Sequence, residues 1–340
     1  MATAKKPTLV TSARSTVAES ARLVQEQRDA LAKAGGLLKP GEIAGSYSAA
    51  RMLSTTLGGS LRAITAEDLK VFAKNVKALG KKFTGGITPK EAINLSAPID
   101  RQRANDQIRT AVPMAHKDGA MHFVTNAGPD SDKTRHHVYV EFLNYNAAVA
   151  SPVKPDQIVR QLYEGRVRFR CDCGRFTYWY GYLATVGQFI YGDQQVNFPK
   201  IRNPQLTGVA CKHALRVMQQ LPSPAVRMRL ERMIEDGRQD APGKVRAVTV
   251  KDARAIAEAQ ARQAAWKRNT VESATERAQR LAQQWMAKNV PAKAKKKAVG
   301  ATPAQVAAAK RKFTTTVNNM VAMGMLTAKQ AKAMMAKVGG

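Results

Sequence analysis

All three cysteines of the chain fall into one pattern with one of its five histidines. The text reads Cys171-Asp172-Cys173, then a 37-residue spacer (174–210), then Cys211-Lys212-His213. Cys171 and Cys173 stand two apart in a strand-and-turn, so their thiols can point to one side. Cys211 and His213 stand at the mouth of a helical pattern, and the two pairs together can close a tetrahedron. Three thiolates and an imidazole suit Zn²⁺, which takes sulfur and nitrogen in that geometry, and four protein ligands leave no open position, as in a structural site. Thiols must ionise to bind, and the neighbouring Arg170, Arg175 and Lys212 are expected to favour the thiolates and offset the net charge of about −1 on the filled site. Two other readings stand beside this one: ordinary buried cysteines with an unrelated histidine, and a Cys–His nucleophile. The second has no separate cysteine to use and no evident accompanying acid.

Elements must carry these residues, and the chain changes character along its length. Residues 1–35 are polar and Ala-rich with a helical pattern at Val17, Ala21, Val24, Ala30 and Leu31, ended by Gly35-Gly36. A helix is expected from about Thr65 to Leu79, opened by a capping box of Thr65 and Asp68. Thr88-Pro89-Lys90-Glu91 and Thr327-Ala328-Lys329-Gln330 repeat that punctuation. Met121–Thr125 and His137–Leu143 read as strands, as does the alternating Arg166–Cys171, followed by a turn and an aromatic segment Phe176–Tyr182. Helices are expected near 156–163, at 210–221, and as one long helix over 248–289 ended by Pro291. Ala292–Thr302 is a Lys-Ala linker, and Pro303–Val338 a helical hairpin broken at Gly324 and lined by Met320, Met323, Met325, Met334 and Met335.

The order C-x-C … C-x-H resembles the SWIM-type zinc finger, in which a β-hairpin and the following helix each supply two zinc ligands. The resemblance carries over at Cys171, Cys173, Cys211 and His213. The spacer is long for that family and suggests an insertion. Cys-Asp-Cys-Gly-Arg-Phe-Thr-Tyr-Trp-Tyr, with Ile-Arg-Asn-Pro-Gln-Leu-Thr-Gly-Val-Ala-Cys-Lys-His-Ala-Leu, further resembles SWIM-bearing proteins of tailed bacteriophages over about residues 85–220. That resemblance implies a virion-associated protein, present in the host cytoplasm during assembly, with a structural rather than catalytic role. The expected fold is therefore α+β. A helical N-terminal region (1–84) leads into an α+β domain with a small antiparallel sheet and the SWIM-like zinc site (85–225). A long basic helical region (226–290), the linker (291–302) and the hairpin (303–340) follow.

Charge supplies the partners. The chain carries 55 basic and 25 acidic side chains, a net of +30. The last hundred residues hold 20 of the basic and only 4 of the acidic ones, so this region is the expected polyanion-binding arm. Lys293, Lys295, Lys296, Lys297, Lys310, Arg311 and Lys312 are its candidate contacts to double-stranded DNA. The other expected partners are virion proteins and, within an assembly, further copies of the chain. A solvated surface kept for solubility explains the same charge. A hydrophobic content of 44% is too high for a wholly disordered chain. No apolar run is long enough to span a membrane, and Met1–Lys6 lacks the apolar core of a secretory signal.

Other candidates carry less. His116, His122, His136 and His137 match no standard metal spacing, and adjacent histidines on a strand point to opposite faces. Tyr178, Trp179, Tyr180 and Tyr182 could stack on bases, or could form a hydrophobic platform beside the zinc. Leu57-Gly58-Gly59-Ser60 lacks the Lys-Ser/Thr context of a phosphate loop. The expected function is a non-catalytic, zinc-stabilised structural protein. Its rivals are a nucleic-acid-binding accessory protein for packaging or regulation and an enzyme built on the His-rich segment.

Overall fold

The computed structural model describes residues 54–60, 62–83, 85–129, 131–239, 243–263, 269–289, 303–322, 327–328, 331–332 and 335. The helical pattern read over 1–35, the linker lysines and the break at Gly324 lie outside these residues. The chain divides between Val271 and Glu272 into two compact units.

The first unit holds β1 (Ser54–Thr55), β2 (Arg62–Ala63), α1 (Ala66–Lys82), α2 (Pro89–Leu95), α3 (Pro98–Gln107), β3 (Ala111–Lys117), β4 (Ala120–Asn126), β5 (Arg135–Phe142), α4 (Tyr145–Ala150), α5 (Pro155–Ile158), α6 (Arg160–Tyr163) and β6 (Val167–Cys171). A π-helical turn (Phe176–Tyr180) then runs into α7 (Gly181–Val186), followed by α8 (Lys212–Gln220), α9 (Pro224–Gln239), β7 (Arg246–Ala247) and α10 (Val250–Gln263). The second unit holds α11 (Ala274–Asn289) and α12 (Pro303–Ala322). Both capping boxes form: the Thr65 hydroxyl accepts from the Asp68 N–H and the Thr88 hydroxyl from the Glu91 N–H, with Pro89 opening α2.

The small antiparallel sheet is present, five strands in the order β6-β5-β4-β3-β7. Alternation on β6 buries Val167, Phe169 and Cys171 and leaves Arg168 and Arg170 half-buried. The register sets Cys171 opposite Val138 and Phe169 opposite Val140. An open edge at β6 would invite pairing with another chain. Here it is covered by Ile87, which exchanges both backbone hydrogen bonds with Val167, and by Phe189 and Tyr191, which bond Phe169.

Helix α8 packs on all four strands β3–β6 and on α2 and α3. It is buried nearly all round: apolar Ala214, Leu215, Val217 and Met218 are buried, and so are polar His213, Arg216 and Gln220. Arg216, 2% exposed, is its one buried cation. Its guanidinium donates to the carbonyls of Ala104 (2.9 Å), Ile108 (2.8 Å) and Asn269 (2.6 Å). Ala104 lies in the last turn of α3, its carbonyl also taking the Ile108 N–H, and Ile108 caps that helix; the helix dipole there favours a cation. Burial pulls the Arg216 pKa down to about 10, which leaves it charged at neutral pH.

One segment is given its form here and one expectation is corrected. Phe176–Tyr182, read only as an aromatic segment, is helical. Phe176, Tyr180, Leu183 and Ala184 are buried at helical spacing, and the Thr177 N–H bonds the Cys173 carbonyl. The single helix expected over 248–289 is two helices, α10 and α11. Between them the Val271 backbone is held on both its N–H (2.7 Å) and its carbonyl (3.0 Å) by the Asn105 side chain, so neither group is left to an intrahelical bond. Ser273 then starts α11 afresh, accepting from the Glu276 N–H while the Glu276 carboxylate accepts from the Ser273 N–H.

In the second unit Val317 and Ala331 are buried with Ala278, and Phe313, Val321 and Met335 pack around them.

Arg216→Met keeps volume but removes the guanidinium donors from the Ala104, Ile108 and Asn269 carbonyls, of which Ala104 keeps the Ile108 N–H. The expected loss of stability is about 3 kcal/mol, seen as a lower urea midpoint for the full chain at unchanged slope.

Candidate metal centre

Three segments meet at the cysteines. Strand β6 ends at Cys171. Cys173 follows where the chain turns into the helical segment, and its Sγ accepts from the Phe176 N–H at 3.3 Å. Cys211 is the N-terminal cap of α8, extended at φ −81° and ψ 165°, and His213 lies in the first turn of that helix. The four side chains are brought together: their ligand atoms all lie within 4.8 Å of one another, and all four residues are buried. The His213 Nδ1 faces the Cys171 Sγ at 3.9 Å. Zinc–sulfur bonds of ~2.3 Å would set tetrahedral sulfurs about 3.8 Å apart, so the donor set needs only a slight contraction to hold such an ion. The cysteines form no disulfide.

The site departs from the expected hairpin. The first pair comes from a strand end and the start of a helical turn. The spacer folds as part of the core, contributing Phe176, Tyr180, Leu183, Phe189 and Phe198. Its loop is tied by Asn203, whose amide donates to the carbonyls of Trp179 and Thr207, each at 2.9 Å.

The electrostatics suit a metal that displaces protons. Burial pushes the thiols of Cys171 and Cys173 well above their ordinary value. Cys211 is equally buried, yet hydrogen bonds from both other thiols and from His213 hold it well below. Burial also lowers His213, keeping its ring neutral and its lone pair available. The three cations expected to favour the thiolates are engaged elsewhere. Arg170 pairs with Asp193 at 2.9 Å. Lys212 donates to the Gln107 side-chain carbonyl at 2.6 Å. Arg175 grips Asp100 with two bonds of 3.0 and 2.9 Å, and the Tyr180 hydroxyl donates to the same carboxylate.

The other histidines do not converge on one site. His116 Nε2 lies 3.1 Å from Asp236 Oδ2. His122 Nε2 lies 2.9 Å from His137 Nδ1, and burial takes His122 down to about 3, so it is neutral. His136 Nδ1 lies 2.9 Å from Asp172 Oδ1. The aromatic segment is mostly core: Tyr180 and Tyr182 are buried, and the guanidiniums of Arg175 and Arg202 lie over the Trp179 ring at 4.3 and 5.2 Å. A separate cleft of about 340 Å³ is lined by His116, Asp118, Tyr145, Asp236, Lys244 and Arg246, among others.

Among the candidate nucleic-acid contacts, Lys310, Arg311 and Lys312 are exposed on α12. At roughly 100° per residue Lys310 stands in line with the stripe of Phe313, Val317 and Val321, while Arg311 and Lys312 lie off it on either side. Lys293, Lys295, Lys296 and Lys297 lie outside the described residues. Sequence reasoning missed Asp172 and Asp100. An acid placed between two cysteines was the available signal for Asp172; nothing local marks Asp100, which meets Arg175 only through the fold. No helix among the described residues is long and apolar enough to cross a membrane.

No protein-family model, curated protein or solved structure matches the chain.

Metal uptake should release protons from the buried thiols, because Cys171 and Cys173 are pushed well above their ordinary value and must ionise to bind. Affinity therefore falls as pH falls. Titration calorimetry in buffers of different ionisation enthalpy measures that release directly.

Proposed function

We propose that the chain is a non-catalytic structural protein whose fold is locked by one zinc ion held by Cys171, Cys173, Cys211 and His213. The observation that carries this reading is the burial of all four donors, with their ligand atoms within 4.8 Å of one another. Three thiolates and a neutral imidazole match zinc, and with four protein ligands the ion keeps no place for a substrate or reactive water. Such an ion ties the end of β6 to the start of α8 and acts on folding.

The place of action follows from the resemblance of residues 85–220 to SWIM-bearing phage proteins. On that ground the chain belongs to a virion, made in the host cytoplasm and docked on other virion proteins, with further copies or packaged double-stranded DNA as neighbours. A net charge of +30 supports contact with polyanions of either kind.

A second reading is favoured by the exposed Lys310, Arg311 and Lys312. In it the protein is a nucleic-acid-binding accessory factor for packaging or regulation.

Salt titration of duplex DNA binding by the zinc-loaded full chain separates the two. The structural reading expects weak binding that is gone by about 0.2 M salt. The accessory reading expects tight binding there. It also expects the Lys310→Gln, Arg311→Gln, Lys312→Gln triple variant to flatten the log–log salt slope by about 3 units.

A further inference from the structure

We infer that Asp172 and His136 are the outer shell of the metal centre, a buried carboxylate–imidazole pair that positions the ring of His213. The inference rests on the metal reading above and names the residues that serve it.

Asp172 stands between Cys171 and Cys173 and is 2% exposed. A carboxylate so deeply buried is expensive unless it is bonded. Its Oδ1 accepts twice, from the His137 backbone N–H at 3.0 Å and from His136 Nδ1 at 2.9 Å. The carboxylate fixes the tautomer of His136, because only a protonated Nδ1 can donate to it. The other nitrogen of His136 lies 3.4 Å from the Ser131 hydroxyl. The His136 ring is thus held from both sides, and it stands 4.2 Å from the ring of His213 at an angle of 42°. Sheet register makes this meeting: His136 precedes by two residues Val138, the partner of Cys171 across the ladder, so both point to the face that α8 covers.

Two buried atoms in this cluster have no hydrogen-bond partner among the described residues, Asp172 Oδ2 and His213 Nε2. They are complementary in kind but do not bond each other, so the pair meets His213 through the ring of His136. His213 turns Nδ1 toward the Cys171 sulfur, so a metal taken at Nδ1 leaves the ring proton on Nε2, which is then a donor. Asp172 Oδ2 is an acceptor. His136 touches both residues. Metal-bound imidazoles commonly hand their second N–H to a carboxylate, which fixes the ring and raises its basicity. Asp172 is the buried carboxylate that shares a neighbour with His213.

The test uses the full-length chain and two variants, Asp172→Asn and His136→Phe. Zinc affinity is read by chelator competition, and ligand geometry by the absorption bands of the Co²⁺-substituted protein. Each variant is expected to keep one ion per chain, to lose affinity by about 10- to 100-fold, and to shift the Co²⁺ bands. His136→Phe keeps a ring against His213, so it reports on the hydrogen-bonded pair even if Asp172→Asn does not fold. Cys173→Ser is the reference. Should it lose the ion while both outer variants bind like the parent with unchanged bands, the outer-shell assignment is overturned and the metal reading survives. Should Cys173→Ser also bind like the parent, the metal reading itself is wrong.

Discussion

Taking three thiols and an imidazole out of water into one small volume sets the constraint around which the first unit is arranged. Each donor comes from a segment with its own reason to be there. Strand β6 delivers Cys171 because alternation buries Val167, Phe169 and Cys171 on one face. Cys173 sits where a strand gives way to a helical turn, and Cys211 and His213 open the helix that lies across the sheet. Burial raises two of the thiols and holds the imidazole neutral. On the proposed zinc reading, a shared cation would replace their protons and offset their loss of solvent.

The surrounding polar groups are arranged to keep these segments in register. Arg216 on α8 ties down the end of α3 and the chain at Asn269. Asp100 on α3 is held by Arg175, two residues beyond Cys173. The cations flanking the cysteines in sequence therefore act as struts between elements. They do not neutralise the sulfurs, which is why their types predicted a local role that their side chains do not take.

Much of this was legible from residue order. The grouping of Cys171, Cys173, Cys211 and His213, the β6 alternation, the capping boxes at Thr65 and Thr88 and the helix read over 210–221, found at Lys212–Gln220, all follow from residue types and spacing. The features that escaped depend on distant partners. Asn105 breaks the chain at Val271 from across the unit, so apolar periodicity over 248–289 gave no warning that one helix would become two. Phe176–Tyr182 is rich in residues favoured in strands, yet burial at helical spacing and the Thr177–Cys173 bond decide its form. His136 and His137 point to opposite faces as adjacent strand residues must. Only the fold shows that one faces Asp172 and His213 while the other meets His122.

X-ray absorption at the zinc edge of the metal-loaded full chain counts the donors around the proposed ion. Three sulfur scatterers at about 2.3 Å and one nitrogen at about 2.0 Å are expected. A first shell of nitrogen and oxygen only, or one with fewer than three sulfurs, would contradict the proposed donor set.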